Sequence, residues 1–424
     1  MKVLIVGGGG REHALAWKLA QENAITKIFT APGNGGTSKL GENVPLSTDD
    51  IEGLSEFAYD QWIDLTIVGP EAPLTKGIVD LFNEKGLKIF GPDKAAAQIE
   101  GSKSFSKNLM KKYNIPTADF KEFTDPDEAK EFINRIGAPV VVKADGLAAG
   151  KGVIISRVIK EANDAIDRIM IKKEFGDAGD RVVIEEFLTG EEASFLAFTD
   201  GETVIPMASS QDHKPIYNND EGPNTGGMGA YSPAPVVTDE IFDKIMNEVM
   251  IPTVNGMKAE GAPYTGVLYA GLMIKEGEPK VLEFNARFGD PEAQPLLQRL
   301  KSDLSPVLLA TINGNLKGMT LEWDDRPSVC VVMASGGYPE KYKIGKEIFG
   351  IDMANEMKDV VVFHAGTSYI GKHLNTSGGR VLGVTAMGAD LKDAIDRVYE
   401  AVHKIDFYEA HYRTDIGAKG LKYV

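Results

Sequence analysis

The chain has 424 residues, enough for about three domains, and its 43% hydrophobic and 25% charged residues give a globular balance that excludes global disorder, a fibre or a stapled mini-protein. A net charge of −16 offers no general attraction to nucleic acid or an anionic membrane, so an anionic ligand must be held by local lysines, arginines and backbone N–H groups. The single cysteine, Cys330, cannot form an intrachain disulfide, no apolar run reaches the roughly 18 residues of a membrane span, and a first strand expected from Lys2 predicts no signal-peptide leader. Together these features predict a cytoplasmic protein with no nucleic-acid or membrane partner and no obligate protein partner.

The first hundred residues alternate strands and helices: KVLIV at 2–6, a helix over 11–20, KIFTA at 27–31, DLTIV at 64–68 and LKIF at 87–90. This alternation predicts a parallel α/β sheet whose ligands lie beyond the carboxyl ends of the strands, where the GGGG, PGNGG, GPE and GPD turns fall. Gly7 to Gly10 lead from a buried strand into a helix, an arrangement that suits phosphate. A nicotinamide dinucleotide is disfavoured, because the third glycine of its fingerprint is replaced by Glu12 and the second strand lacks the ribose-binding acid.

From Gly101 a lysine-bearing helix leads to Pro116, followed by a helix over 125–136, the strand PVVVKAD, the loop GLAAGKG, the strand VIISR, a helix over 160–173 and the strand RVVIEEFL. The 146–152 loop is not a Walker A sequence, but a glycine-rich hairpin can fold over phosphates, and Lys143 on a buried strand requires an anionic partner. EEFLTGEEAS carries carboxylates that could hold a ribose diol, and FLAFTDG with ETVIPMAS reads as an antiparallel hairpin. A long polar loop is expected from Gln211 to Pro235, containing Asp212, His213, Lys214 and a Gly-Gly-Met-Gly turn. In VLEFNARFGDPE the strand period of two puts Glu283, Asn285 and Arg287 on one face, where two oxygen donors suit Mg²⁺ and the guanidinium can brace a carboxylate or phosphoryl group. Beyond Arg326, short strands and one amphipathic helix over 390–404 predict a separate, mainly β region.

Taken together, VLIVGGGGREHALAWKL, IVGPEAPL, VVKADGLAAGKGV, EEFLTGEEAS, QDHK, GPNTGGMGAYSPAP and LEFNARFGDPEAQ resemble, in order and spacing over essentially the whole chain, the phosphoribosylamine–glycine ligase family of ATP-grasp enzymes. The resemblance implies an α/β and α+β multidomain fold: an N-terminal parallel α/β domain (1–100), an ATP-grasp core (101–121 and 190–325), a mobile lid (122–189) and a C-terminal β-rich domain (326–424). It further implies ATP-dependent coupling of glycine to 5-phosphoribosylamine in purine biosynthesis through a glycyl phosphate, with ATP and Mg²⁺ required and Mn²⁺ as an alternative. By the same resemblance Lys103, Lys143, Gly150 and Lys151 hold phosphates, Glu185, Glu186, Phe187 and Leu188 form an adenine hinge, and Glu192 faces the ribose. Glu283 and Asn285 match the metal ligands. Asp212 and Arg287 are the candidates for the two ends of glycine, and Gly9, Gly10, Asn34, Glu71, Lys214, Thr225, Gly226, Gly227, Met228 and Asp290 for the phosphosugar.

Two departures qualify this picture. The strand GVLYAGLMI offers no second acidic metal ligand, so further coordination must come from phosphates or water, and Pro215 stands where the family often has arginine, which removes one expected phosphate contact. Another ATP-grasp ligase or a biotin carboxylase would keep the nucleotide residues, but QDHK and GPNTGGMGAYSP argue against both. An oxidoreductase or a nucleotide-sensing module using the GGGG turn alone would leave Glu283, Asn285 and Arg287 unexplained.

Overall fold

The computed structural model describes residues 1–148 and 152–423. The expected N-terminal alternation forms a five-stranded parallel sheet, ordered Glu42–Asn43, Lys27–Pro32, Lys2–Gly7, Leu65–Val68 and Ile89–Phe90. In the central strand the period of two divides the apolar residues between two cores. Val3 and Ile5 pack with Leu15 and Leu19 of the helix Gly10–Leu19, whereas Leu4 and Val6 pack on the other side with Phe29, Leu54 and Phe82.

A four-stranded antiparallel sheet, ordered Val204–Pro206, Glu191–Asp200, Thr265–Lys275 and Glu278–Asn285, divides its side chains between the same two cores: Phe195 and Leu268 join Leu4, while Leu196, Phe198 and Val267 join Ile5. The two sheets are therefore fused through common apolar clusters. A second four-stranded sheet, ordered Phe120–Phe123, Val182–Glu186, Val140–Ala144 and Val153–Ser156, instead has a core of its own. There Ile133, Val142, Ala162, Ile166, Val182 and Ile184 pack beneath the helices Pro126–Ile136 and Ile159–Ile166.

The stretch expected to be one long polar loop is instead structured. Gln211–Asp212, Pro215–Tyr217, Glu221–Asn224 and Gly229–Ser232 are strands, and the first and last enter the C-terminal sheet. That antiparallel sheet runs Gln211–Asp212, Gly229–Ser232, Ser328–Ala334, Arg380–Met387 and Val360–His364, with the helix Leu391–Val402 packed against it through Leu391, Ala394 and Val398. The C-terminal sheet is thus not built from C-terminal residues alone. This pairing places Asp212 and Lys214 at the junction of three sheets. Among the described residues no helix is long and apolar enough to cross a membrane.

Candidate active site

The sheets enclose a cavity of about 830 Å³. One end is a slot walled by Met110, Val141, Ile155, Met273 and Leu282, suited to a flat ring, with Glu185, Glu186, Phe187 and Leu188 along its edge. Lysines lie beside it. Lys103 starts the helix Lys103–Lys112 and donates from Nζ to the Gly146 carbonyl at 3.1 Å, and burial lowers its pKa. Lys143 has the anionic partner its burial requires: Glu185 Oε1 at 2.9 Å, with a hydrogen bond to the Leu282 carbonyl at 3.0 Å. Since Glu185 is 3% exposed and wedged between Lys107 and Lys143, its carboxylate is committed to lysines rather than open to a ligand. Gly150 and Lys151 lie outside the described residues, whereas Leu147, Ala148 and Gly152 line the cavity.

At the centre, Glu283 and Asn285 face the cavity from alternate positions of the strand Glu278–Asn285, opposite Gly271 and Tyr269. Burial alone would raise the Glu283 pKa, but Lys214, Lys143, Lys103 and Arg287 outweigh it and hold the carboxylate below its ordinary range. Lys214 Nζ lies 2.9 Å from Glu192 Oε2 and 4.0 Å from Glu283 Oε1, so Glu192 is an ion-pair partner as well as a cavity wall. Asp212 is 8% exposed, and burial pushes its pKa up to about 7; Lys214 opposes that shift, and Glu292, Glu192 and Glu283 reinforce it. Glu292 accepts hydrogen bonds from Tyr269 Oη at 2.5 Å and Ser194 Oγ at 3.2 Å.

The far end is rich in arginine and carboxylate. Arg287 lies just past its strand yet lines the same cavity as Glu283 and Asn285. Its Nη2 donates to Asn285 Oδ1 at 3.2 Å and lies 2.9 Å from Glu100 Oε1, and its Nε donates to Glu71 Oε2 at 3.2 Å. Burial tends to raise both carboxylates; Arg287 and Arg11 overcome it at Glu71, whose pKa is lowered, while that of Glu100 stays raised. Arg380 Nη1 donates to the Gly226 and Asp290 carbonyls at 2.5 and 2.7 Å, and its Nη2 lies 3.3 Å from Asp290 Oδ2. Thr225, Gly226 and Tyr338 complete this wall, and the Gly226 N–H donates to Tyr338 Oη at 3.1 Å.

Some expected positions do not reach the cavity. Gly9 and Gly10 do not line it, and the helix start they were expected to offer to phosphate is occupied by carboxylates: the Gly9 N–H donates to Glu12 Oε2 at 2.6 Å and the Arg11 N–H to Asp290 Oδ2 at 3.4 Å. Glycine at position 7 makes room for that carboxylate, since φ is +131° and a Cβ there would lie 2.5 Å from Glu12 Cγ. Asn34 is buried with its amide spent on the carbonyls of Gly8 and His364 and on the N–H groups of Gly36 and Thr37. Met228 is fully buried against Ile216 and Ala334, and Gly227 lies behind Pro291, so neither offers a side-chain contact. Glu71, Lys214, Thr225, Gly226 and Asp290 do line the cavity.

Sequence reasoning missed Lys107, Glu100, Tyr269, Tyr338 and Arg380, all of which line the cavity. Two other wall residues, Arg11 and Glu292, stood inside the GGGGREH and GDPE stretches and could have been singled out there.

Profiles described as the N, ATP-grasp (A) and C domains of phosphoribosylglycinamide synthetase match residues 1–100, 101–293 and 328–419. The chain is 57% identical over 424 residues to a phosphoribosylamine–glycine ligase of Allochromatium vinosum, covering 99% of both chains. It is 54% identical over 426 residues to the protein of that name from Escherichia coli, covering 100% of this chain and 99% of that one. Among solved structures, a phosphoribosylamine–glycine ligase of Thermotoga maritima superposes with a TM-score of 0.85 at 34% identity, covering 98% of this chain and all of that one. A biotin carboxylase domain of Hydrogenobacter thermophilus, at 18% identity and a TM-score of 0.75, shares the fold over 97% of this chain and 91% of that one.

Proposed function

The chain belongs to the phosphoribosylamine–glycine ligase family of ATP-grasp enzymes and is an ATP-dependent carbon–nitrogen ligase of purine biosynthesis; from that premise we propose how its cavity joins glycine to 5-phosphoribosylamine. The observation that carries the reading is the ionised carboxylate of Glu283. Four cationic groups hold it ionised, and it stands beside an amide oxygen between a flat apolar slot and an arginine-rich end. No hydrogen bond to Glu283 is present among the described residues, so its oxygens are free to coordinate a cation, and this donor set fits Mg²⁺, which takes few protein ligands. The three-domain organisation expected from the sequence, and a cytoplasmic setting, are part of the same proposal.

Adenine lies in the slot along Glu186 to Leu188, and Lys103 and Lys143 face the phosphates. Mg²⁺ on Glu283 and Asn285, with Mn²⁺ as an alternative, would neutralise charge on the phosphate chain. The glycine carboxylate comes to the Arg287 edge and its ammonium to Asp212. That placement orients a carboxylate oxygen toward the γ-phosphate. A carboxylate is a poor electrophile, so phosphoryl transfer to glycine comes first, giving glycyl phosphate and ADP. The amine of phosphoribosylamine then attacks the acyl carbon, the C–O bond to phosphate breaks, and inorganic phosphate leaves. Arg380, Thr225, Gly226 and Asp290 are proposed to hold the phosphosugar, and Glu71 to act through Arg287.

Turnover of glycine labelled with ¹⁸O in its carboxylate tests this order. One labelled oxygen is expected in the released phosphate, and label-free phosphate would exclude the acyl phosphate.

A further inference from the structure

Lys107 is 2% exposed in the helix Lys103–Lys112, and nothing in the reaction described above uses it. Its Nζ donates to Thr117 Oγ1 at 2.7 Å and lies 2.9 Å from Glu185 Oε2. Thr117 Oγ1 in turn donates to the Val281 carbonyl at 2.6 Å. On the other side of Glu185, Lys143 closes the row at 2.9 Å and donates to the Leu282 carbonyl. The row Thr117, Lys107, Glu185, Lys143 therefore crosses from the core helix, through two strands of the separately packed sheet, back to the strand bearing Glu283 and Asn285.

Charge balance gives the row its meaning. Two ammonium groups share one carboxylate, so the row carries one net positive charge, and Lys143, which lines the cavity, stands at its cavity end. We infer that Lys107 is a positioning residue for ATP: by neutralising Glu185 from behind, it leaves the Lys143 charge available to the phosphate chain and fixes Lys143 where it meets that chain.

Without Lys107, Glu185 and Lys143 would form a closed neutral pair, and the positive potential at the phosphates would fall by one charge in a site sheltered from solvent. Burial pulls Lys107 down to about 8, with Glu185 opposing the shift, so it remains mostly charged at neutral pH. The inference rests on the reading of this end of the cavity as the nucleotide site.

The test is MgATP binding and steady-state kinetics on the full chain carrying K107M, K107R, E185Q and K107M/E185Q. K107M should weaken MgATP binding roughly tenfold or more while KM for glycine stays within about threefold. K107R should retain binding. The double variant restores the single net positive charge and should recover MgATP affinity to within about threefold of the parent. A merely structural role for Lys107 predicts no such recovery. The inference is overturned if K107M binds MgATP like the parent, or if the double variant is as weak as K107M. Should K107M fail to fold, the charge-balanced double variant decides, with near-parental affinity supporting the inference and loss overturning it. A parent protein that does not bind MgATP overturns the nucleotide-site reading itself, whereas a parent that binds alongside an unaffected K107M overturns only the role of Lys107.

Discussion

The two ends of the cavity hold positive charge in different ways. At the slot end the cations are lysines, compact charges on flexible stems, each anchored by one or two contacts to Gly146, Glu185 or Leu282. At the far end they are arginines whose planar forks are already bonded: Arg11 to Glu12 and Phe288, Arg287 to Glu71, Asn285 and Glu100, Arg380 to Asp290 and Gly226. The first arrangement suits a polyphosphate that changes length during turnover. The second suits orienting two reactants, since pre-bonded forks lose little freedom when the substrates arrive.

Glu283 stands where the ends meet, so its replacement should give the largest effect. Glu283→Gln keeps shape but loses the charge on which four cations converge and which would hold the proposed metal, and turnover should fall ~10² to 10³-fold, the cost of losing one well-aimed electrostatic group. The fold should stay intact, because the side chain is no part of a packed core, while the thermal midpoint drops modestly as four cations lose their shared counter-charge. Near-normal turnover at limiting Mg²⁺ would remove Glu283 from the metal site and erase the junction between the two ends.

Arg287→Lys tests whether the far end depends on the fork. A lysine cannot reach Glu71, Asn285 and Glu100 at once, so kcat/KM for glycine should drop by roughly 10²-fold while KM for ATP changes little. Unchanged glycine dependence would show that a point charge suffices there. Arg380→Ala should act more weakly and on the third reactant, raising KM for phosphoribosylamine about tenfold through loss of a charge-assisted contact and of the Gly226 anchor. A rise confined to KM for ATP would contradict the division of the cavity.

The same division governs what could be read from the sequence. Glu283 and Asn285 were legible because strand periodicity is local, and Lys143 because a lysine ending a VVV run requires a partner. Arg380 was not legible: it starts a strand of a distant sheet and meets Asp290 and Gly226 only through the fold. Lys107 is one of four lysines in a single helix, and its burial is set by Glu185, far along the chain. Residues 211–232 read as a loop because their short strands pair with one another and with Ser328–Ala334, so their order is set by tertiary pairing rather than local pattern. The GGGG turn is a related case: its pattern reads as a helix start open to a phosphate, whereas the fold brings Glu12 back onto the Gly9 N–H.

Asp212 gives the smallest effect and the sharpest contrast between the ends. Its pKa is pushed up to about 7 by burial and by Glu292, Glu192 and Glu283, with Lys214 opposing them, so the empty site holds it largely protonated below neutrality. Only the carboxylate pairs with the glycine ammonium, and glycine itself stays a zwitterion over this range. KM for glycine should therefore rise as pH falls below about 7, approaching tenfold per unit, and level off above it. For the ligand-free protein the sign is reversed: the unfolded carboxyl ionises near its ordinary value while the folded one holds its proton, so Asp212 withdraws stability as pH rises from about 4 to about 7. KM for ATP at saturating Mg²⁺ should move by less than about threefold between pH 6 and 7, since Lys107, pulled down to about 8 by burial, stays mostly charged over that range. Asp212→Asn should bind glycine poorly at every pH and lose the slope. A glycine KM that is flat from pH 6 to 8 in the parent protein would exclude Asp212 as the ammonium partner and leave the glycine site to Arg287 alone.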